Sequence, residues 1–269
     1  MVISQLTSRE NALFKTIRLI SSGARGAPAE LVVAEGIRVL QEIDKCGCLI
    51  DAVLITEGFG DSSKEEALLD GWLARNVRIC RTSESLFRSV SDVRAPQGAI
   101  ALVRFPECKL DGAAPPGRNA LVLFAGGIQD PGNLGTIIRT AAAAGASLVC
   151  IGRKTVSPRN PKAIRASAGT IFRIPIVEHA EMSEFLDYCA CHSIRAYRTD
   201  ILHGLAYTQA DLRSPCAILL GNEGSGITNG ECIGLPAIRI PMAEDVESLN
   251  VAMAGAIILF EASRQRAKG

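Results

Sequence analysis

The second half of the chain contains six short, mostly apolar runs, and this series constrains the fold more than any other feature of the sequence. Segments long enough for a helix separate each run from the next. Runs that are apolar nearly throughout, rather than alternating, indicate strands that are buried on both faces. The pattern therefore predicts the α/β class, with a parallel sheet covered by helices on both sides. The predicted strands are residues 120–124, 147–151, 174–177, 195–199, 216–220 and 237–240.

The chain of 269 residues is long enough for two domains of modest size. Residues 106–118 concentrate Pro, Gly and Ala between two strand-like runs, which predicts a linker. In the preceding part, Thr7 and Glu10 match a capping box that would open a helix extending to about Ile20. We therefore expect a small α/β domain at 1–105 and a larger one at 119–269. Strands of the small domain are predicted at 31–33, 52–55, 77–80 and 99–103.

The composition limits the class of protein and its partners. Apolar residues make up 48% of the chain and charged residues 21%, which excludes disordered and fibrous proteins. The 29 Lys and Arg residues balance 28 Asp and Glu residues, so the charge of +1 gives no global attraction to nucleic acid or to a membrane. The first ten residues lack an apolar signal core, and no uncharged stretch is long enough to span a bilayer. We expect a cytoplasmic protein that binds any polyanion through a local patch.

The nine cysteines are expected to be reduced core residues, because most of them, such as Cys80, Cys150 and Cys216, lie inside apolar runs. The closest pairs, Cys46/Cys48 and Cys189/Cys191, lack the CxxC spacing of structural zinc sites. We therefore expect no bound metal.

The final helix, predicted for residues 249–266, is apolar nearly all round through the segment VAMAGAIILF. Such a helix must be buried on more than one side. Two alternatives are left for what buries the second side of the helix: a subunit interface or an intramolecular core.

Three polar loops directly follow predicted strands of the larger domain. The first, residues 126–133, leads into a helix whose apolar face contains Leu134 and Ile138, with Arg139 on the other side. Free N–H groups at that helix start favour an anion, and Arg139 lies within reach of a phosphate or ribose. Alternatively, Asn133 only caps the helix and Arg139 is a solvated charge. For Asn133 considered alone, the cap is the favoured interpretation.

The second loop, residues 221–226, holds the carboxylate of Glu223 between glycines, where packing gives little reason for an acid. The third loop, residues 241–247, precedes Ser248, the predicted cap of the final helix, and Asn250, which capping does not explain. The carboxyl ends of parallel strands meet at one sheet edge, where α/β folds bind ligands. The residues predicted to line one site there are Asn133, Arg139, Glu223, Ser248 and Asn250.

Two groups of basic residues indicate contacts with phosphates. Residues 153–173 include six basic residues and no acid, which predicts a phosphate-contacting strip, with a solvated charged stretch as the alternative. A second group on the N-terminal helix is opposed by Glu10 alone. Aromatic residues, at 4%, are too few for a base-stacking surface, so recognition by shape and backbone is expected. The candidate RNA-contacting residues are Arg9, Lys15, Arg18, Arg153, Lys154, Arg159, Lys162 and Arg165.

Several segments of the larger domain form an ordered set of motifs. They are DPGNLGTIIRTAAAAGA at 130–146, NPKAIRASAG at 160–169, ILLGNEGSGI at 218–227 and IPMAEDVESLNVAMA at 240–254. In this order they resemble the motifs of the SpoU (TrmH-like) family of RNA ribose 2′-O-methyltransferases, within the SPOUT superfamily. Residues 8–20 and 31–42 also resemble the substrate-binding module of that family, a ribosomal-protein-like α/β domain. One departure is Glu244, where many relatives have Gly.

The resemblance implies a homodimer whose C-terminal domain forms a trefoil knot and binds S-adenosylmethionine, with active sites that use both subunits. Periodicity alone does not predict the knot, because connections that thread through one another are very rare. The five polar residues of the three loops match the active-site positions of the family. The residues that would contact the cofactor are Gly126, Leu220, Gly221, Ile240, Met242 and Leu249.

The activity implied by the resemblance is methyl transfer from S-adenosylmethionine to a ribose 2′-hydroxyl of structured RNA. The separate N-terminal module favours ribosomal over transfer RNA, and a role in resistance to a ribosome-targeting antibiotic is open. A guanidinium is hard to deprotonate, so Arg139 is expected to hold or activate the ribose-phosphate, and the general base is left open. The alternatives are a tRNA 2′-O-methyltransferase and a non-catalytic RNA-binding or ribosome-assembly protein of the same fold. A nucleotide-binding metabolic enzyme is disfavoured, since residues 216–228 contain no Lys.

Overall fold

The computed structural model describes residues 3–113, 117, 119–222, 230–232 and 234–267. The chain forms two compact units. The first unit contains Met1–Pro106 and Arg159–Arg173, and the second contains Glu107–Pro158 and Ile174–Gly269. In chain order the strands and α-helices are β1 (Ser4–Gln5), α1 (Ala12–Ser21), β2 (Leu31–Glu35), α2 (Ile37–Lys45), β3 (Ile50–Thr56), α3 (Ser63–Ala74), β4 (Arg78–Thr82), α4 (Glu84–Arg88), β5 (Ala99–Arg104), β6 (Leu121–Ala125), α5 (Pro131–Ala143), β7 (Leu148–Gly152), α6 (Pro161–Ala166), β8 (Ile176–Ala180), α7 (Met182–Cys191), β9 (Arg195–Thr199), β10 (Leu205–Ala206), β11 (Cys216–Leu220), β12 (Ala237–Arg239) and α8 (Val251–Ala267).

The first unit is built around a mixed five-stranded sheet in the order β1-β4-β3-β5-β2. Strands β1, β3 and β4 run parallel, whereas β5 is antiparallel to its neighbours β3 and β2. Helix α1 buries Leu13, Phe14 and Ile17 in a core that also contains Leu54 and Ile100 of the sheet. All four strands predicted in this part are present, and the two-residue β1 is an addition that the sequence pattern did not indicate.

The predicted capping box of α1 is wrong. Asn11 caps this helix instead, because its side-chain oxygen accepts a hydrogen bond of 2.9 Å from the N–H of Leu13. The side chain of Glu10 forms an ion pair with Lys15 rather than reaching back to Thr7. The helix begins later than predicted because the chain before it still belongs to the sheet. Strand β1 pairs with β4, and the N–H of Leu6 donates to the carbonyl of Arg81, so the chain is still extended there.

The second unit contains a seven-stranded sheet in the order β10-β12-β9-β11-β6-β7-β8. Every pair of neighbouring strands in it is parallel. The predicted parallel sheet is therefore confirmed, and each of the six predicted strands is found with its ends shifted by at most a few residues. The short edge strand β10 was not predicted, since two residues are too few to form an apolar run.

Helices cover both faces of this sheet, as the continuous apolar strands predicted. On one face, Phe124 of β6 packs against Phe185 of α7 with ring centroids 4.9 Å apart. On the other face, Leu220 of β11 lies against Gly255 of α8, where a Cβ atom would be only 2.7 Å from the leucine side chain. A glycine at this position of α8 therefore allows the helix to approach the sheet closely.

The described part of the predicted linker at 106–118 packs on the second unit. Cys108 forms an isolated parallel bridge with Val177, and Leu110 and Ala113 pack against the core cluster around Phe124. Residues from Glu107 onward accordingly belong to the second unit.

Residues Arg159–Arg173, which the sequence suggested as part of the larger domain, pack within the first unit. Helix α6 buries Ala163 and Ile164 and lies beside β2, the edge strand of the first sheet. Gly169 has φ of +87°, and a Cβ atom there would lie 2.8 Å from the Cβ of Glu42. The small residues of this segment therefore have a packing role, and the segment packs beside the edge strand of the first sheet.

The final helix α8 buries one face, which includes Ala252, Gly255 and Leu259. The opposite face carries Met253 and Phe260, each with 52% of its surface exposed. Among the described residues of α8, contacts within one chain therefore bury only one face of the helix. None of the helices in the described ranges is both long enough and apolar enough to cross a membrane.

The cysteines agree in part with the prediction of reduced core residues. Cys80, Cys150, Cys189 and Cys216 are buried and carry free thiols. Burial raises the pKa of the Cys216 thiol to about 11 and that of Cys189 to about 12, so both stay protonated at neutral pH. Cys191, in contrast, is exposed.

The packing at Gly204 leads to a test of the fold. Gly204 has φ of +106°, and a Cβ atom there would lie 2.3 Å from the carbonyl oxygen of Ala237. Gly204→Ala should lower the free energy of unfolding by about 2–5 kcal/mol, because a left-handed backbone is combined with a backbone clash. Gly145→Ala is the matched control, since Gly145 has φ of +82° and open space around its Cβ position. It should cost about 1–2 kcal/mol, and equal losses for both variants in urea unfolding would contradict the packing at Gly204.

Candidate active site

A cavity of about 440 Å³ lies at the carboxyl edge of the parallel sheet in the second unit. The loops after β9, β11 and β12 and the first turns of α8 form its walls. This volume is in the range of sites that bind a nucleoside-sized molecule. Of the residues predicted from the sequence, those lining the cavity are Leu220, Gly221, Ile240, Met242, Ser248 and Leu249.

Gly126 is the one predicted cofactor residue that does not line the cavity. Its N–H donates a hydrogen bond of 2.9 Å to the carbonyl of Leu220, so it connects the loop after β6 to the end of β11. The next residue, Gly127, has φ of +71° and accepts a hydrogen bond of 3.0 Å from the side-chain amide of Asn222. These contacts place the first loop next to the cavity wall.

The cavity wall formed by the end of β9 and the loop after it consists of residues that the sequence pattern did not indicate, among them Arg198 and Asp200. A guanidinium N–H of Arg198 donates to Asp200 at 2.5 Å, and the backbone N–H groups of Leu202 and His203 also donate to Asp200. Burial raises the pKa of Asp200, but these hydrogen bonds together hold it below the ordinary 3.8. Asp200 is therefore charged at neutral pH.

Asn133 is not the cap of α5, contrary to the favoured interpretation of its position. Asp130 caps the helix by accepting a hydrogen bond of 2.9 Å from the N–H of Asn133, and Pro131 occupies the first helical position. The side chain of Asn133 is thereby available for another contact. Its oxygen accepts a hydrogen bond of 3.1 Å from the side-chain amide of Asn250.

Asn250, not Ser248, caps the final helix. The side-chain oxygen of Asn250 accepts hydrogen bonds from the N–H groups of Ala252, at 2.9 Å, and Met253, at 3.3 Å. Because its nitrogen donates to Asn133, this one side chain fixes the start of α8 to the first turn of α5. Ser248 is exposed and lines the cavity instead.

Arg139 is exposed on α5, on the side opposite the buried Leu134 and Ile138. Its guanidinium forms no hydrogen bond or ion pair with any residue in the described ranges.

Glu223 lies outside the described residues. Glu244 is exposed and does not line the cavity, in a turn closed by a bond of 3.1 Å from the N–H of Val246 to the carbonyl of Ala243.

The loop after β7 is bound to the loop after β6. The side-chain amide of Gln129 donates to the carbonyl of Lys154 at 2.5 Å, and the N–H of Val156 donates to the carbonyl of Ile128 at 2.8 Å. Lys154 has φ of +66°, which a non-glycine residue adopts only when its surroundings hold it there. The exposed Lys154 side chain thus projects from an ordered turn beside the first motif loop.

The predicted basic strip is divided between the two units. Arg153 and Lys154 are exposed in the second unit, where Arg153 forms an ion pair with Glu181. In the first unit, Arg159 lies over the ring of Phe105 at 4.7 Å and donates to a backbone carbonyl. Lys162 is exposed and Arg165 is half-buried, while Arg173 pairs with Glu42 at 3.5 Å. Part of the basic segment therefore stabilises the first unit itself.

The N-terminal group of basic residues lies on the surface. Arg9, Lys15 and Arg18 are exposed on or just before α1, and Lys15 pairs with Glu10. In the described ranges, no group of three or more His, Cys, Asp or Glu side chains has the arrangement of a metal site.

Known proteins are similar to this chain in sequence and in fold. A sequence model of the SpoU rRNA methylase family matches residues 120–260. The chain is 29% identical to 23S rRNA (guanosine(2553)-2′-O)-methyltransferase RlmP of Bacillus subtilis, over 96% of this chain and 98% of that one. It is 32% identical to 23S rRNA (uridine(2479)-2′-O)-methyltransferase of Streptomyces viridochromogenes, over 72% of this chain and 70% of that one. A crystal structure of AdoMet-bound rRNA methyltransferase from Sinorhizobium meliloti matches with a TM-score of 0.86 and 26% identity, over 98% of both chains.

The two contacts of Asn250 can be separated by substitution. Asn250→Ala removes both the helix cap and the bond to Asn133, so it should lower the free energy of unfolding by about 2 kcal/mol. Asn250→Asp keeps the capping oxygen but loses the donor, and it should cost about 1 kcal/mol or less. Urea unfolding of the two variants measures both values. A harmless Asn250→Ala would show that this residue does not cap α8.

Proposed function

Because the chain belongs to the SpoU rRNA methylase family, we propose that it is an S-adenosylmethionine-dependent enzyme that methylates a ribose 2′-hydroxyl of ribosomal RNA. The two curated relatives are named as 2′-O-methyltransferases of 23S rRNA, which favours that molecule as the substrate. The observation that carries the proposal is the meeting of separate motifs at one place. The bond between Asn133 and Asn250 joins the first motif to the third beside the cavity that the second motif also lines.

The cavity has the chemistry that S-adenosylmethionine requires. Ile238, Ile240 and Ile258 provide an apolar wall suited to an adenine ring, and Asn222 and Ser248 provide polar groups. Its volume of about 440 Å³ accommodates a nucleoside with an amino-acid extension. When bound, the cofactor supplies an electrophilic methyl group on a sulfonium. The matched Sinorhizobium meliloti structure is described as AdoMet-bound.

In this proposal the protein acts mainly by positioning. Arg139 holds the target ribose-phosphate, because its exposed guanidinium carries N–H donors that no other described residue engages. Asn133 and Asn250 join α5, which carries Arg139, to the start of α8, and Ser248 lines the neighbouring cavity. Glu223 is assigned to orienting its partners and balancing positive charge. Alignment of the reacting atoms together with electrostatic stabilisation contributes several kcal/mol in such reactions.

The first unit is proposed to bind the RNA. The exposed residues Arg9, Lys15 and Arg18 would contact phosphates there, together with Lys162 and the half-buried Arg165 and Arg159. On the second unit, Arg153 and Lys154 would add contacts near the active site. The ribosomal-protein-like character of this domain rests on the motif resemblance. A cytoplasmic location is proposed together with this substrate.

A homodimer through the C-terminal domain is also proposed. Met253 and Phe260 are seven residues apart on α8, so they share one face, and both are half exposed. Two such faces from two subunits would bury each other and provide the second side that an apolar helix needs. The family's trefoil knot is proposed for the same region, since the chain after the near-edge strand β12 returns to pack α8 against α5 and β11.

The direct test is methylation of defined RNA. Purified protein is incubated with radiolabelled S-adenosylmethionine and unmodified 23S rRNA or transfer RNA, and the RNA is digested to nucleosides. We expect the label in one 2′-O-methylnucleoside from 23S rRNA. Label in transfer RNA alone would overturn the substrate, and binding of cofactor and RNA without transfer would favour the non-catalytic alternative.

Arg139→Ala tests the assigned role of the guanidinium. Single-turnover methyl transfer should fall about 100-fold or more, because an aligned, charged donor at the reacting group is lost. Affinity for S-adenosylhomocysteine should change less than about twofold, since no contact with the cavity is removed. Arg195→Ala is the surface control, because Arg195 is exposed at the start of β9, away from the cavity, and this variant should retain most of the rate. Near-normal turnover of Arg139→Ala would exclude this assignment.

Substitutions on α8 test the dimer. Met253→Glu and Phe260→Glu place charges on the exposed apolar face and should convert the protein to a monomer in analytical ultracentrifugation. Leu49→Glu is the control, because Leu49 is 68% exposed on the first unit. A wild-type monomer would overturn the proposed dimer, and a dimer that tolerates both α8 charges would place the interface elsewhere.

A further inference from the structure

The cavity has one charged wall, formed by Arg198 at the end of β9 and Asp200 just beyond it. These two are the charged residues among the described residues that line the cavity. The side chain of Arg198 is 26% exposed and that of Asp200 is 19% exposed, so both are largely removed from water. A charged pair in such a position needs partners for most of its polar groups.

The two side chains of the pair differ in how fully their hydrogen-bonding groups are used. Asp200 accepts three, from Arg198 at 2.5 Å, from the N–H of Leu202 at 3.0 Å and from the N–H of His203 at 2.9 Å. Arg198 carries five N–H groups, and the bond to Asp200 is the one its side chain makes within the described part of the chain. Its Nε is buried and has no acceptor there. Asp200 is thus well satisfied, whereas the guanidinium has donors to spare.

The Nη groups of Arg198 are the donors that a ligand can reach, because its side chain is 26% exposed at the cavity wall whereas Nε is buried. The neighbouring part of the wall offers few hydrogen-bond acceptors for the guanidinium. Ile201 and Leu202 are apolar, and the hydroxyl of Thr199 donates to the carbonyl of Leu219 at 2.9 Å. A ligand that enters the cavity can supply the acceptor. Because Asp200 already balances the charge of Arg198, a neutral acceptor would serve as well as an anion.

We propose that Arg198 is a cofactor-binding residue that donates hydrogen bonds to S-adenosylmethionine, and that Asp200 is a positioning residue that orients the guanidinium. This inference rests on the proposed function and adds a residue that none of the sequence motifs includes. The cofactor offers hydrogen-bond acceptors in two places, the adenosine and the carboxylate of its amino-acid part. The test therefore compares two ligands that share the adenosine and differ in the carboxylate.

Isothermal titration calorimetry measures binding of S-adenosylhomocysteine and of 5′-methylthioadenosine, which lacks the amino-acid part. Arg198→Met should weaken S-adenosylhomocysteine binding by about 10- to 100-fold, as expected for the loss of hydrogen bonds from a charged donor. An equal loss for 5′-methylthioadenosine assigns the contact to the adenosine, and an unchanged affinity for it assigns the contact to the carboxylate. Arg195→Met is the matched control, because Arg195 is exposed on the same strand and lies over the ring of Tyr197.

The role of Asp200 is tested by a double-mutant cycle. Asp200→Asn should weaken S-adenosylhomocysteine binding in the wild-type background and have almost no further effect in Arg198→Met, since it acts through Arg198. Equal losses in both backgrounds would show that Asp200 only shapes the loop. Thermal unfolding without ligand shows whether each variant is folded.

The outcomes separate this inference from the proposed function. If the wild-type protein binds neither ligand, the cofactor assignment fails. If it binds both and folded Arg198→Met binds them within about twofold of wild type, the cofactor assignment stands and the role of Arg198 is overturned. In that case a water molecule, not the ligand, satisfies the guanidinium.

Discussion

The shared direction of the seven strands in the second unit is the constraint on which the candidate site depends. Because parallel strands end at the same edge, the loops after β9, β11 and β12 meet there, and α8 begins beside them. The bond of 3.1 Å from Asn250 to Asn133 then joins α8 to the first turn of α5. The cavity lies where these elements come together, with an apolar wall on one side and the pair Arg198–Asp200 on another.

The sequence predicts the sheet and much of the cavity for a simple physical reason. A strand buried on both faces must be apolar at nearly every position, so runs such as residues 216–220 are visible without a structure. Helices between the strands imply a parallel arrangement, and that arrangement implies a common edge for the loops. Leu220, Gly221 and Leu249 were placed at the cofactor site by motif resemblance, and the structure brings them to one cavity.

Details that depend on distant contacts could not be read from the sequence. Asp130 and Asn133 are both good helix caps, and Pro131, a residue type favoured at the first helical position, marks Asp130 as the cap. The bond of Asn133 to Asn250, 117 residues away, is the part that the sequence does not reveal. Arg198 lies in β9 and Asp200 directly follows it, this strand is not apolar throughout, and no glycine-rich loop marks either residue. The packing of Arg159–Arg173 in the first unit likewise depends on contacts with residues distant in the chain, such as those between α6 and β2.

The cavity at this sheet edge is proposed to hold the methyl donor. A crystal structure of the protein with S-adenosylhomocysteine tests this most directly. We expect the adenosine between Leu220 and the start of α8, with the guanidinium of Arg198 within hydrogen-bond distance of the ligand. Ligand bound elsewhere on the chain, with this cavity holding only water, would contradict it.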